Sequence, residues 1–130
     1  MRRCAHREQH PKVKVVWRTL RHPPNWPQEK AQEKGLDVAL AIDFVTMAVR
    51  GEYDIGVLMS TDTDLKPALE AVVALGRSPY PRCEVASWST PHRYSRRLSI
   101  PGRRLWCHWL DEHDYRAVAD PTDYTRTPRT

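Results

Sequence analysis

Two apolar segments of helix length, separated by one short apolar run, restrict the fold of this chain more than any other feature. The first segment, "LDVALAIDFVTMAVRG", is apolar on nearly every side and ends at Gly51, where a helix C-cap is expected. The run "YDIGVLMS" is typical of a strand buried on both faces. The second helix, "DLKPALEAVVALGR", tolerates Pro67 in its first turn and stops at Gly76. This alternation predicts a mostly parallel sheet with helices on both faces, and it predicts that the first helix is buried between layers.

Shorter runs on either side of this centre predict further strands. "VKVVW" at 13–17 is rich in β-branched residues, and the proline-rich stretch that follows it predicts a loop. "CEVASWS" at 83–89 alternates, and "RLWCHWL" at 104–110 supplies a last strand, whereas the final residues have little to bury. We therefore expect an N-terminal segment at 1–12, one α/β domain at 13–115 and a C-terminal tail at 116–130.

Size and composition exclude several classes of protein. With 130 residues, 40% of them hydrophobic, the chain can close one modest core. Its three cysteines have no metal-ligand spacing and are too few for a disulfide framework. No apolar run reaches the roughly 18 residues of a membrane span, and the N-terminus lacks the apolar segment of a secretory signal. These features predict a soluble, cytoplasmic protein that has no membrane partner.

The charge of the chain is positive and unevenly distributed. The formal net charge is +5, and five arginines lie between residues 93 and 104 with no acidic residue among them. A positive field of this kind attracts polyanions, and nucleic acid is the commonest of these. Surface arginines without a specific partner are an equally weighted interpretation.

Two aspartates stand where the central strand ends and the second helix begins. Asp62 and Asp64 are two residues apart, and the carboxyl ends of strands in open α/β sheets are where ligands bind. Neighbouring carboxylates repel each other unless a cation such as Mg²⁺ or Mn²⁺ lies between them. The simpler interpretation is that one of these residues caps the helix while the others are solvated. Spacing alone favours the cap.

Two further acids lie in the first helix. Asp43 has apolar neighbours, and a charged carboxylate is costly to bury unless it is paired, hydrogen-bonded or metal-bound. Asp37 lies at the start of the helix, where capping is again the simpler explanation. The two are about 120° apart around an ideal helix, so they need not serve one site.

Residues 34–76, "KGLDVALAIDFVTMAVRGEYDIGVLMSTDTDLKPALEAVVALG", resemble the NYN domain, a branch of the PIN-like nuclease superfamily. The family pattern is a Lys-Gly-x-Asp helix, a strand and a Ser-(Gly or Thr)-Asp-(Ser or Thr)-Asp turn, and both motifs occur here in that order. The resemblance implies a three-layer α/β fold, with a mostly parallel sheet flanked by helices, and Mg²⁺- or Mn²⁺-dependent hydrolysis of RNA. It implies catalytic and metal-binding roles for Asp37, Asp62 and Asp64, with Asp43 as a supporting metal position.

The N-terminal part departs from this family pattern. Family members open with a strand that ends in aspartate, and nothing before Val13 resembles it. We therefore expect an N-terminally truncated domain, which would be an active endoribonuclease only if the missing aspartate were supplied. Either the true start lies upstream of Met1, or a second copy in a homodimer completes the sheet, or the chain is a decayed copy of the domain. Thr61 stands where many relatives have glycine, and it preserves the turn if its φ stays negative.

RNA is the partner that the resemblance implies, and basic and aromatic residues are the candidates to hold it. Trp88 or Tyr94 could stack on bases, although tryptophans in such strands are more often core residues. The residues expected to hold the RNA backbone are Lys34, Arg93, Arg96, Arg97, Arg103 and Arg104.

Other functions remain open from the sequence. A non-catalytic RNA-binding or interaction module is the main alternative, because a chain that lacks one acid could bind RNA without cutting it. A phosphatase of the haloacid dehalogenase type also places Asp-x-Asp after a strand, but it requires a hydroxyl residue where Lys66 stands. A structural or toxin–antitoxin role would use an exposed sheet edge.

Overall fold

The computed structural model describes residues 10–31, 34–76, 83–92 and 95–122. Among these, 10–36 and 118–122 belong to one compact unit, and Asp37–Ala117 form another. In chain order the elements are α1 (Leu36–Val49), β1 (Gly56–Met59), a 3₁₀ helix (Thr63–Leu65), α2 (Lys66–Leu75), β2 (Cys83–Trp88), β3 (Cys107–Leu110) and α3 (Glu112–Val118). The domain boundaries expected at 13 and 115 stay predictions.

The three strands form one parallel sheet in the order β1-β2-β3. Gly56 pairs with Cys83 and Leu58 with Val85, and on the other side Val85 pairs with Cys107. Registered partners in a sheet point to the same face, and Leu58, Val85 and Cys107 are all buried in one apolar cluster with Leu69 and Val72 of α2. The predicted parallel α/β architecture with flanking helices is confirmed.

Both predicted helices end where local signals place their ends. Gly51 has a φ of +67°, and its N–H donates to the carbonyl of Ala48, while the N–H of Glu52 reaches the carbonyl of Met47. This pair of bonds is the glycine-terminated Schellman arrangement. α2 has Pro67 in its first turn, as expected, and stops before Gly76.

The prediction that α1 is buried between layers is wrong. Only Phe44 and Ala48 are buried, while Val38, Ile42 and Val49 are exposed. On an ideal helix these three exposed residues lie within about 40° of one another and roughly 120–160° around the axis from Phe44. α1 therefore has a broad apolar arc of which only part is covered in the unit Asp37–Ala117.

The strand predicted at 13–17 is also absent. These residues have no regular structure, and Val13, Val16 and Trp17 are exposed. β-branched residues favour an extended chain, but a strand forms only where a neighbouring strand satisfies its N–H and C=O groups. The described residues provide no such neighbour for this segment. The proline-rich stretch that follows forms turns, as expected.

None of the helices in the described part of the chain is long and apolar enough to cross a lipid bilayer.

A close approach of α1 to β1 depends on the absence of a side chain at Gly56. A Cβ atom there would lie 2.7 Å from the Phe44 ring and 2.7 Å from the Tyr53 ring. The two rings are stacked with centroids 5.6 Å apart, and the Tyr53 hydroxyl donates to the Phe44 carbonyl at 2.8 Å. The rings are therefore fixed, and neither can move easily to admit a methyl group.

We expect Gly56→Ala to lower the free energy of unfolding by about 1–3 kcal/mol, the usual cost of overpacking. Replacing glycine by alanine in a strand would otherwise stabilise the chain by about 0.4–1 kcal/mol through the unfolded state. Urea unfolding measures the difference. Val57→Thr, on the exposed side of the same strand, is the control and should change stability little. A Gly56→Ala chain as stable as the parent would contradict the packing argument.

Cys83 is a buried thiol that makes stability depend on alkaline pH. Burial raises the pKa of Cys83 from 9.0 to about 11, and the neighbouring Glu84 carboxylate adds to the rise. Burial also raises the pKa of Cys107, with Arg97 opposing the shift. Between the two values for Cys83, the unfolded chain has lost the proton that the folded chain still binds, so stability falls as pH rises.

The parent chain should therefore lose more stability between about pH 9 and pH 11 than a Cys83→Ala variant does, because only the parent carries this linkage. Urea unfolding under reducing conditions at several pH values measures the difference. Both chains carry the same lysines and tyrosines, so the comparison isolates the contribution of Cys83. Parallel pH profiles for the two chains would reject the linkage.

Candidate metal centre

The turn after β1 is held by hydrogen bonds from backbone N–H groups to the side chains of Ser60 and Asp62. The Asp62 N–H donates to Ser60 Oγ at 3.0 Å, and Asp62 Oδ1 accepts from the Asp64 N–H at 2.9 Å. Asp62 is thus the N-cap of the 3₁₀ helix, with an extended backbone at φ −72° and ψ 120°. None of the described residues other than glycine has a positive φ, so Thr61 fits the turn without strain.

Burial of Leu65 fixes the position of this turn. Leu65 is almost completely inaccessible, whereas Thr61, Asp62, Thr63 and Asp64 before it are exposed. A core residue directly after four exposed ones anchors both carboxylates at the carboxyl end of β1. The cap interpretation is therefore realised, and it leaves Asp62 Oδ2 and the whole Asp64 carboxylate directed to solvent.

The structure does not gather all the predicted metal ligands. Asp37 is exposed in the first turn of α1, and Asp43, half-buried in that helix, has an interaction of its own. Asp37, Asp62 and Asp64 do not form a group whose ligand atoms all lie within 4.8 Å of one another. Only Asp62 and Asp64 share a turn, so the four-residue set stays a prediction.

The described residues do contain one such group, formed by Asp111, His113 and Asp114. Asp111 Oδ1 accepts from the N–H groups of His113 and Asp114, at 2.8 and 3.2 Å, and Asp114 Oδ2 accepts from the Asp111 N–H at 3.0 Å. These reciprocal bonds are a capping box at the start of α3. Helix capping accounts for the cluster. The capped helix also carries Tyr115.

This cap and the helix that follows it were not predicted from the sequence. The available signal was Asp111 directly after the strand, with a second acid three residues later. Since all three strands are parallel, Asp111 lies at the carboxyl ends of the strands, as Asp62 does.

Comparison with known protein families decides the classification of the chain. The family model described as NYN domain matches residues 9–80, which is more than half of the chain. The chain belongs to the NYN domain family. The family is PIN-like, and membership indicates a nuclease-like function. No curated protein and no solved structure has significant similarity to the chain.

The match places Asp37, Asp62 and Asp64 inside the NYN domain and leaves the arginine-rich segment outside it. Of the basic candidates, Arg93 lies outside the described residues, as does Tyr94. Exposed in the structure are Lys34, Arg96, Arg97, Arg103 and Arg104.

Part of the arginine-rich segment is tied to the sheet. Arg97 donates to the Leu105 carbonyl at 3.3 Å, and the buried Ser87 hydroxyl donates to the Arg96 carbonyl. Leu98 and Ile100, which follow these arginines in the chain and precede β3, are buried. Arg97 therefore has a structural role, whereas the structure shows Arg103 and Arg104 as exposed.

Asp62→Ala should lower the free energy of unfolding by about 0.5–2 kcal/mol, because the 3₁₀ helix loses its cap. Asp62→Asn keeps an oxygen that can accept the same bond, so it should cost less than about half of that. Thermal unfolding followed by circular dichroism measures both. Equal losses for the two variants would show that charge, and not capping, is what Asp62 contributes to stability.

Proposed function

We propose that this NYN domain is a metal-dependent endoribonuclease whose cation is held by the turn at Asp62 and Asp64. The observation that supports the proposal is the pair of exposed carboxylates, anchored by Leu65 at the carboxyl end of β1, within the part of the chain that matches the family.

The donor set of this turn suits a hard cation. After capping, Asp62 retains Oδ2 and Asp64 retains both carboxylate oxygens, and none of these is buried. Mg²⁺ prefers oxygen ligands and is often held by one or two carboxylates, with water and substrate phosphate completing its shell. Asp62 and Asp64 can therefore contribute two ligands to Mg²⁺ or Mn²⁺, with Asp37 as the third proposed ligand, Asp43 as a supporting position and the first-strand aspartate still to be supplied for activity.

When bound, the cation would supply activation of water and charge neutralisation for phosphodiester hydrolysis. The chain itself orients Asp62 through the Ser60 and Asp64 bonds, so its carboxylate needs little reorganisation when an ion arrives. Lys34, Arg96, Arg103 and Arg104 are the residues we expect to hold the RNA backbone, since they are basic and exposed.

The decisive experiment removes charge from the turn and keeps its hydrogen bonds. The double substitution Asp62→Asn and Asp64→Asn should abolish Mn²⁺-stimulated cleavage of single-stranded RNA, measured by gel electrophoresis of a labelled oligonucleotide. Asp54→Asn, an exposed acid on the amino side of β1, is the matched control and should cut as the parent does. Unchanged cutting by the double variant would reject the metal role.

A non-catalytic RNA-binding function is the second candidate. It is favoured because, among the described residues, Asp37, Asp62 and Asp64 do not bring ligand atoms all within 4.8 Å of one another. The two functions separate cleanly: a binding module retains salt-sensitive affinity for RNA but gives no Mn²⁺-dependent products.

Completion of the sheet and a cytoplasmic location stay predictions. β1 is an edge of the sheet among the described strands, and Val57 and Met59 on it are exposed. An additional strand from an N-terminal segment, or from a second copy in a homodimer, would bind at such an edge. Light scattering tests the homodimer, and a single-chain mass at high concentration would reject it.

A further inference from the structure

An exposed aromatic pair, Trp88 and Tyr115, lies at the carboxyl ends of the strands, as the Asp62 turn does. Met59 of β1 pairs with Ala86 of β2, so two residues further along each strand lie Thr61 and Trp88. Trp88 is the last residue of β2, and adjacent strands are about 4.8 Å apart. Trp88 therefore lies on the strand next to the one that leads into the carboxylate turn.

Trp88 faces solvent although it sits in the central strand. It is 42% exposed, whereas Val85 and Ser87 of the same strand are buried on the opposite face. The Tyr115 ring of α3 lies beside it, 60% exposed, with ring centroids 6.5 Å apart and ring planes at 79°. Two perpendicular rings, both open to water, form a corner that a flat molecule can enter.

The backbone of Tyr115 is held within α3. The Tyr115 N–H donates to the Asp111 carbonyl at 3.1 Å, and Asp111 caps α3 through its reciprocal bonds with Asp114. Trp88 is held by its place in β2, where it pairs with Leu110. Both rings are thus carried on regular structure and lose little conformational entropy when they bind a partner.

We propose that Trp88 and Tyr115 form a stacking platform for one unpaired base of single-stranded RNA whose adjoining phosphate lies at the Asp62 turn. A base parallel to one ring would place its edge against the other ring. Stacking tolerates any base, because each has a π face. The inference rests on the proposed RNA function and adds the residues that position the strand.

This arrangement selects single-stranded RNA over a duplex. A base within a duplex is already stacked on its neighbours and cannot reach the corner between the two rings without being pulled out of the helix. The platform therefore acts by positioning, since neither ring carries a group that reacts with a phosphodiester.

The test measures binding of a fluorescein-labelled single-stranded RNA 10-mer to the full chain in the Asp62→Asn, Asp64→Asn background, which prevents cleavage and removes the repulsion that bare carboxylates would exert on the adjoining phosphate. Trp88→Ala and Tyr115→Ala should each weaken binding about 10- to 100-fold, and Trp88→Phe should restore most of the affinity. Trp106→Ala is the matched control, because Trp106 is 66% exposed but precedes β3, at the opposite end of the strands. It should bind within about twofold of the parent. For an RNA with one abasic position per binding site, the parent and Trp88→Ala should have equal affinity.

The outcomes separate the platform from the nuclease. If the parent cuts RNA with Mn²⁺ but Trp88→Ala and Tyr115→Ala bind as the parent does, the platform is overturned and the proposed function stands. If affinity depends on Trp88 and no Mn²⁺-dependent cutting occurs, the platform stands and the nuclease fails. Absence of any RNA binding by the parent overturns the platform, as does an equal loss of affinity in Trp88→Ala and Trp88→Phe.

Discussion

The contact between α1 and β1 at Gly56 is the constraint on which the rest of the domain depends. The Phe44 and Tyr53 rings occupy the space that a side chain at Gly56 would fill, and the Tyr53 hydroxyl ties them to the backbone of α1. This contact fixes the height of β1 against the helix, and β2 and β3 follow from β1 through a continuous parallel register. The position of the carboxylate turn is in turn the position of the carboxyl end of β1.

Capping and metal binding are compatible uses of the same turn. A cap consumes one carboxylate oxygen of Asp62 and leaves three oxygens on two residues, and Leu65 holds the turn in place from the core. Asp111 also caps a helix through Oδ1, which accepts from two backbone N–H groups of α3. In that cluster both carboxylates take part in the cap, because Asp114 Oδ2 accepts from the Asp111 N–H, whereas only the backbone N–H of Asp64 takes part in the cap at Asp62.

Local signals determined the elements that the sequence predicts correctly. Gly51 and Pro67 act within a few residues of themselves, so the ends of α1 and the start of α2 follow from the chain alone. The order of strands and helices likewise implies a parallel sheet. Non-local partners decided the rest. Val13 to Trp17 needs a neighbouring strand to become one, and the exposure of Val38 and Ile42 depends on what packs over α1. The distance of Asp37 from Asp62 depends on tertiary packing that no spacing encodes.

The connection between β2 and β3 joins parallel strands without a helix in its described residues, 89–92 and 95–106. It is pinned at a few apolar points, namely Leu98, Ile100 and Leu105, while the arginines between them project outward. A crossover held in this way can accept substitutions or changes of length between its anchors without altering strand registration. The arginines proposed to hold RNA can therefore change in this connection without disturbing the neighbouring turn.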